Sequence, residues 1–251
     1  MGLKGISVKN QTATSVDLYF YGDIVSEEWF VWGDEDQYPD AIRNFLADHE
    51  GKDINVYINS GGGSVFAGLA IYNILNRHAL KNTVKVYVDG LAGSIASVIA
   101  FAGSEKPHIP SNAFLMVHNP WTRADGNAVD LRKIADDLEQ IKVGLLNVYE
   151  AHLKDGVKIE TISELMDAET WLNGTEAANY FDIEVEEAKE YAASTGDYIQ
   201  KCKNTPKDLN KKQPENKNSD ALPQEQPCDT ETKEKRNKIK RGVLKGHTKG
   251  E

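Results

Sequence analysis

Ser94 stands in the run Gly90-Leu-Ala-Gly-Ser-Ile-Ala-Ser97, beside Ala92, Gly93 and Ala96, and such small neighbours leave a substrate room to reach a hydroxyl. The pattern sets it at the start of a helix, where first-turn N–H groups favour developing negative charge. An N-cap serine heading a tightly packed small-residue helix is the structural alternative. A serine hydroxyl is a poor nucleophile at neutral pH and needs a base. His118 closes the apolar run Ala113-Phe-Leu-Met-Val117 and precedes Asn119-Pro120, a place from which an imidazole can act as general base; a lone histidine at a strand end is otherwise a structural residue. The base in turn needs an orienting carboxylate, and Met166-Asp-Ala-Glu-Thr-Trp-Leu172 supplies Asp167 and Glu169. Gly61-Gly62-Gly63 permits positive φ and close backbone approach. The chain then continues Ser64-Val65-Phe66 without the lysine of a phosphate loop, which argues against nucleotide binding and leaves a tight turn or an oxyanion-binding strip. Ala96 replaces the second glycine of a Gly-x-Ser-x-Gly elbow, so the serine is not of the α/β-hydrolase kind.

The glycine strip, the Ser94 run and the His118 run each follow a predicted strand. Asp17-Leu-Tyr-Phe-Tyr21, Ile54-Asn-Val-Tyr-Ile58, Val84-Lys-Val-Tyr-Val88 and Ala113–Val117 carry β-branched and aromatic residues, the third broken at Asp89-Gly90. Helices are predicted over Tyr38–His49, over Val65–Arg77 with Val65, Leu69, Tyr72 and Leu75 on one face, and over about Ser94–Ala102. Alternating strand–loop–helix units imply a mainly parallel sheet covered by helices, with sites beyond the carboxyl ends of the strands. The longest helix, Ala128–Leu153, carries Leu131, Ile134, Leu138, Ile141, Leu145 and Val148 at alternating steps of three and four. That spacing makes a narrow apolar seam for the body or for another subunit.

Composition divides the 251 residues in two. Residues 1–193 hold 15 basic and 30 acidic side chains, whereas 194–251 hold 14 basic and 9 acidic ones, four of the eight prolines and a single aromatic. Such a stretch buries too little apolar area to offset the entropy of ordering it, so a polar, Lys-rich, disordered tail is expected after a folded domain over 1–193. Both cysteines, Cys202 and Cys228, lie in that tail, which leaves the domain without a disulfide or a thiol nucleophile. The histidines are scattered with no metal-ligand spacing, and no metal or other cofactor is implied. The longest near-continuous apolar run, Leu91–Gly103, is 13 residues, well short of the roughly 20 a membrane span needs. The first eighteen residues lack a signal-peptide core. A cytoplasmic protein is expected.

Taken together, Ile58–Tyr72, Val88–Ala100, Met116–Pro120 and Glu169–Ala177 resemble, in order and spacing, the proteolytic-subunit family of Clp serine peptidases, most closely its phage and prophage head-maturation branch. The resemblance covers roughly residues 15–190 and implies the crotonase-like α/β superhelix with a long handle helix through which rings meet. It implies that Ser94 is the nucleophile, His118 the base, and Gly63 and Ile95 the two oxyanion-hole N–H groups. It also implies a peptide or protein substrate bound beside Gly62, Ser64, Asn119 and Pro120, and a homo-oligomeric ring. The family's Ser-Pro-Gly-Gly is Ser60-Gly61-Gly62-Gly63 here, and its usual third-position Asp aligns with Glu169; Asp167 would preserve residue type at the cost of the alignment. Only about 15 residues precede Val16, which speaks against an ATPase partner and for cleavage of capsid or scaffold proteins. The alternatives are a housekeeping ATPase-dependent subunit, a catalytically silent assembly module of the same fold, and a crotonase-type acyl-CoA enzyme.

Overall fold

Three consecutive strands bury the same kind of side chain on the same face. In the computed structural model, which describes residues 8–31, 33, 35–188 and 204, β1 (Val8–Lys9) and β2 (Ser15–Phe20) open the chain, followed by α1 (Pro39–Asp48), β3 (Asp53–Ser60), α2 (Val65–Ala79), β4 (Val84–Gly93) and α3 (Ile95–Ile99). Val16, Leu18 and Phe20 of β2, Ile54, Val56 and Ile58 of β3, and Val84, Val86 and Val88 of β4 are all buried. Alternate residues thus face the core, as strand geometry dictates. On the other face Tyr19, Tyr57, Tyr87 and His108 stack in cross-strand register, with ring centroids 4.8–5.2 Å apart.

The chain continues with β5 (His108–Pro110), β6 (Phe114–Val117), α4 (Ala128–Glu150), α5 (Ile159–Asp167), β7 (Thr170–Asn173), α6 (Gly174–Ala177) and β8 (Glu184–Glu186). One sheet runs in the order β1-β2-β3-β4-β5-β8, and β6 leaves β4 to pair with β7. Pairings are parallel except β1 with β2 and β6 with β7. This matches the mainly parallel α/β sheet expected from the sequence.

Two expectations need correction. The break predicted at Asp89-Gly90 is a bulge rather than a strand end. Pairing steps from Ile58↔Val88 to Ser60↔Ala92, so β4 spends two more residues than β3 and then runs on to Gly93. Tyr21 Oη donates to Asp89 Oδ2 at 2.5 Å across the bulge. The apolar seam of α4 also divides. Leu131 is exposed, whereas the buried stripe of the second half is Lys142, Leu145 and Tyr149, one step round the helix from Ile141 and Val148. The helix begins at a capping box, Asn127 Oδ1 accepting from the Val129 and Asp130 N–H groups while Asp130 Oδ2 accepts from Asn127 N–H.

The expected polar tail over 194–251, with Cys202 and Cys228, lies outside the described residues except for Asn204. Among the described residues no helix is long and apolar enough to cross a membrane. No group of three His, Cys, Asp or Glu side chains among them is placed to hold a metal ion.

Helix α2 reaches α3 through Gly68, where a Cβ would lie 2.1 Å from Ile95 Cγ1. Alanine in a helix gains up to about 1 kcal/mol over glycine, but overpacking a fixed core costs about 1–3 kcal/mol. Gly68→Ala is therefore expected to destabilise the protein by roughly 1 kcal/mol or more in urea unfolding; a gain in stability would show that α2 and α3 are not in hard contact.

Candidate active site

The ends of β4 and β6 converge because they pair in parallel, Leu91↔Phe114, Ala92↔Leu115 and Gly93↔Met116. The Ser94 N–H then donates to Met116 O at 2.9 Å. One residue past the end of β4 and two past Met116, Ser94 Oγ and His118 Nε2 meet at 2.7 Å. Ser94 precedes α3 at φ 54°, ψ −128°, and its side chain makes no capping bond. A non-glycine residue at positive φ is uncommon and costs energy; here it turns the hydroxyl away from its own helix and toward the imidazole.

Main chain packs on main chain beside it. Gly62 has φ 98°, and a Cβ there would lie 2.6 Å from Gly93 O and 2.7 Å from Ser94 Cβ. Gly63 lies against Ile24: Ile24 N–H donates to Gly62 O at 2.8 Å, and Ser64 N–H donates to Ile24 O at 2.7 Å. In such a parallel bridge the partner's flanking groups are used, so the N–H of Gly63 points away from Ile24. Ile95 is the first residue of α3, and its N–H has no acceptor within the helix. The other expected contacts are partly engaged already. Gly62 N–H donates to Ser60 Oγ at 3.1 Å, and Ser64 caps α2, its Oγ accepting from Ala67 N–H.

The hairpin of β6 and β7 places the two acids differently. Its antiparallel register runs Phe114↔Asn173 to Val117↔Thr170, and one further step sets Glu169 opposite His118. Asp167 falls two residues beyond. Its Oδ1 accepts from Lys142 Nζ at 2.5 Å and from Asn119 Nδ2 at 2.7 Å, and these bonds hold its carboxyl below the usual carboxylate range. Glu169 sits at φ 50°, with Oε1 accepting from the Asn204 N–H at 2.6 Å. Its tie to the imidazole in this structure is electrostatic: burial pushes the His118 pKa below its ordinary value, and the Glu169 charge pulls it back up.

A serine and a histidine meet at hydrogen-bond distance next to a glycine strip, and the model of a known family matches residues 40–183. The chain belongs to the Clp protease family. It is 34% identical over 131 residues to an ATP-dependent Clp protease proteolytic subunit of Bacteroides fragilis, the match covering 52% of this chain and 61% of that protein. It is 35% identical over 130 residues to proteolytic subunit 3 of Rhodococcus jostii, covering 51% and 62%. The match to proteolytic subunit 2 of Thermobifida fusca is 34% over 135 residues, covering 53% and 64%. The matched part thus spans less than two thirds of these relatives' length. The Clp protease fold, a mixed α/β arrangement around a central sheet, accounts for the observed architecture.

Three side chains at this Clp-family site were not anticipated from the sequence. Ser97 is wholly buried, its hydroxyl bonded to Ser94 O and, at 2.7 Å, to Tyr149 Oη. Burial pushes the Tyr149 pKa up to about 12. Lys142 crosses from α4 to Asp167. The available signal was the helical period: Lys142, Leu145 and Tyr149 share one face of α4 as well as the apolar seam does. Asn119 Oδ1 is buried without a partner, an acceptor facing unpaid desolvation beside His118.

Lys142→Met is expected to remove the larger of the two influences on Asp167 and raise its carboxyl pKa toward the ordinary range, with the Asn119 bond left in place. A depressed carboxyl stabilises the fold above its unfolded-state pKa and loses that contribution as pH falls through the folded value. Wild type should therefore exceed Lys142→Met in unfolding free energy at pH 7 by at most about 1 kcal/mol, because Asp167 is more than half exposed and water screens the pair. The gap should close near pH 3; a gap independent of pH would show that packing, not the ion pair, carries it.

Proposed function

We propose that the chain is a serine endopeptidase in which Ser94 attacks the scissile carbonyl. The observation that carries this reading is the 2.7 Å approach of Ser94 Oγ to His118 Nε2. With neutral His118 the hydroxyl donates to Nε2, the imidazole takes the proton as the bond to carbon forms, and it returns that proton to the leaving amine. Glu169, opposite His118 in the hairpin, stabilises the imidazolium and favours the Nδ1–H tautomer. The N–H groups of Gly63 and Ile95 donate to the oxyanion, a contribution of several kcal/mol in such sites. Asp167 is assigned to Lys142 and Asn119 rather than to the triad. Asn119 and Pro120, just past the base, flank the bound peptide.

The relatives are named as ATP-dependent subunits, which supports a housekeeping peptidase working with an ATPase over the head-maturation role expected from the sequence. Oligomerisation into rings is supported by α4, whose first half leaves Leu131 exposed and Ile134 and Leu138 only half-buried.

A fluorophosphonate probe should label the wild-type chain and fail to label Ser94→Ala. Equal labelling would remove Ser94 from the mechanism and leave the catalytically silent module as the better reading.

Activity should also follow the His118 titration. The base works only when neutral, so peptide hydrolysis should be retained above its pKa and lost as pH falls through it. With that pKa lowered by burial, the acid limb should lie below pH 6.5, the ordinary histidine value. Glu169→Gln should reduce kcat on the order of a thousandfold or more and move the limb to still lower pH, since the charge that raises the His118 pKa is gone. Asp167→Asn should leave the limb in place; the opposite pattern would reassign the triad acid.

A further inference from the structure

A narrow apolar cleft opens directly between Ser94 and His118. Half-buried Val65 and Pro120 stand at its rim, and buried Val98, Leu145 and Tyr149 line its depth. Its free volume is about 10 Å³, room for about one water molecule or a methyl group of similar size. The cleft touches both reacting side chains, so a carbonyl held at Ser94 directs the side chain on its acyl side toward it.

The depth of the cleft is set by a ring that cannot easily yield. Tyr149 Oη is bonded to Ser97 Oγ at 2.7 Å, and Ser97 Oγ is bonded in turn to the carbonyl of Ser94. The ring packs edge-on against Phe101, with centroids 6.1 Å apart, and against Phe181 at 5.7 Å. Swinging Tyr149 aside would strand its own buried hydroxyl and break both aromatic contacts. An isobutyl or benzyl group has no space without that movement, whereas a methyl or hydroxymethyl group does.

We infer that Tyr149 is the specificity-determining residue of this site and restricts cleavage to bonds that follow a small residue, Gly, Ala or Ser. The inference rests on the serine-peptidase reading above and deepens it by naming the substrate class. Discrimination against larger residues should be at least about tenfold, the lower end of what a methylene is worth in a closed apolar pocket.

The test uses the full chain and separates the two claims. Labelling of Ser94 by a plain fluorophosphonate reports the peptidase reading alone. Rates of labelling by peptidyl diphenyl phosphonates that differ only in an alanine-, leucine- or phenylalanine-like group next to phosphorus report the cleft. Wild type should react with the alanine-like probe at least about ten times faster than with the other two. Tyr149→Leu and Tyr149→Ala should transfer the preference to the leucine-like probe, and Tyr149→Phe, which keeps the ring, should retain the wild-type order. If the plain probe fails to label, the peptidase reading falls and the inference with it. If it labels but wild type favours the larger groups, reacts with all three alike or reacts with none, the inference alone is overturned. Folded Tyr149 variants that keep the wild-type order overturn it as well, and should those variants fail to fold, the wild-type series still decides.

Discussion

Main chain touching main chain is the condition on which the site depends. The strip after β3 lies so close to the end of β4 that a single methyl on Gly62 would collide with both Gly93 O and Ser94 Cβ. That proximity brings the glycine strip beside Ser94 and the start of α3. The arrangement is maintained from the other side by Ile24, which takes Gly62 O and Ser64 N–H and so fixes which edge of the strip faces outward. Hydrogen-bonded backbone is a stiffer support than side-chain packing, and stiffness is what a site for developing charge requires, because its dipoles must already point the right way.

Two carboxylates two residues apart carry different electrostatic duties. Asp167, paired with Lys142 and Asn119, ties α4 to the segment just past His118. Glu169 forms no salt bridge among the described residues, and its charge acts on the buried imidazole. The two opposing influences on His118, desolvation and a facing negative charge, leave a base that is neutral at physiological pH and is stabilised when it gains a proton. Of the three described non-glycine residues at positive φ, Asn10, Ser94 and Glu169, the last two lie at this site, where strain of that kind tends to collect.

Much of this was legible in the sequence. Residue types near strand ends named Ser94, His118 and the glycine strip, since small residues, a lone imidazole after an apolar run and consecutive glycines are local signals. The β2–β4 core and the helices between were legible from apolar alternation and period. The alignment already favours Glu169 over Asp167, but the hairpin register that sets Glu169 opposite His118 was not legible, because its strands are more than fifty residues apart. Nor were Lys142 and Tyr149, whose burial depends on how α4 is rotated against the body. Asp89-Gly90 misled because a strand break and a bulge share the same residues, and only the neighbouring strand distinguishes them.

The hairpin of β6 and β7 has strands of only four residues each, which divides the chain by its tolerance of length change. Adding or removing one residue within β6 would turn the imidazole to the opposite face of the sheet. The exposed stretch 121–127 that leads into α4 is different: doubling such a loop costs only about 0.6 kcal/mol in closure entropy. Natural variation in this architecture can therefore collect in that connector, while the spacing from Phe114 to His118 and from Glu169 to Asn173 stays rigid.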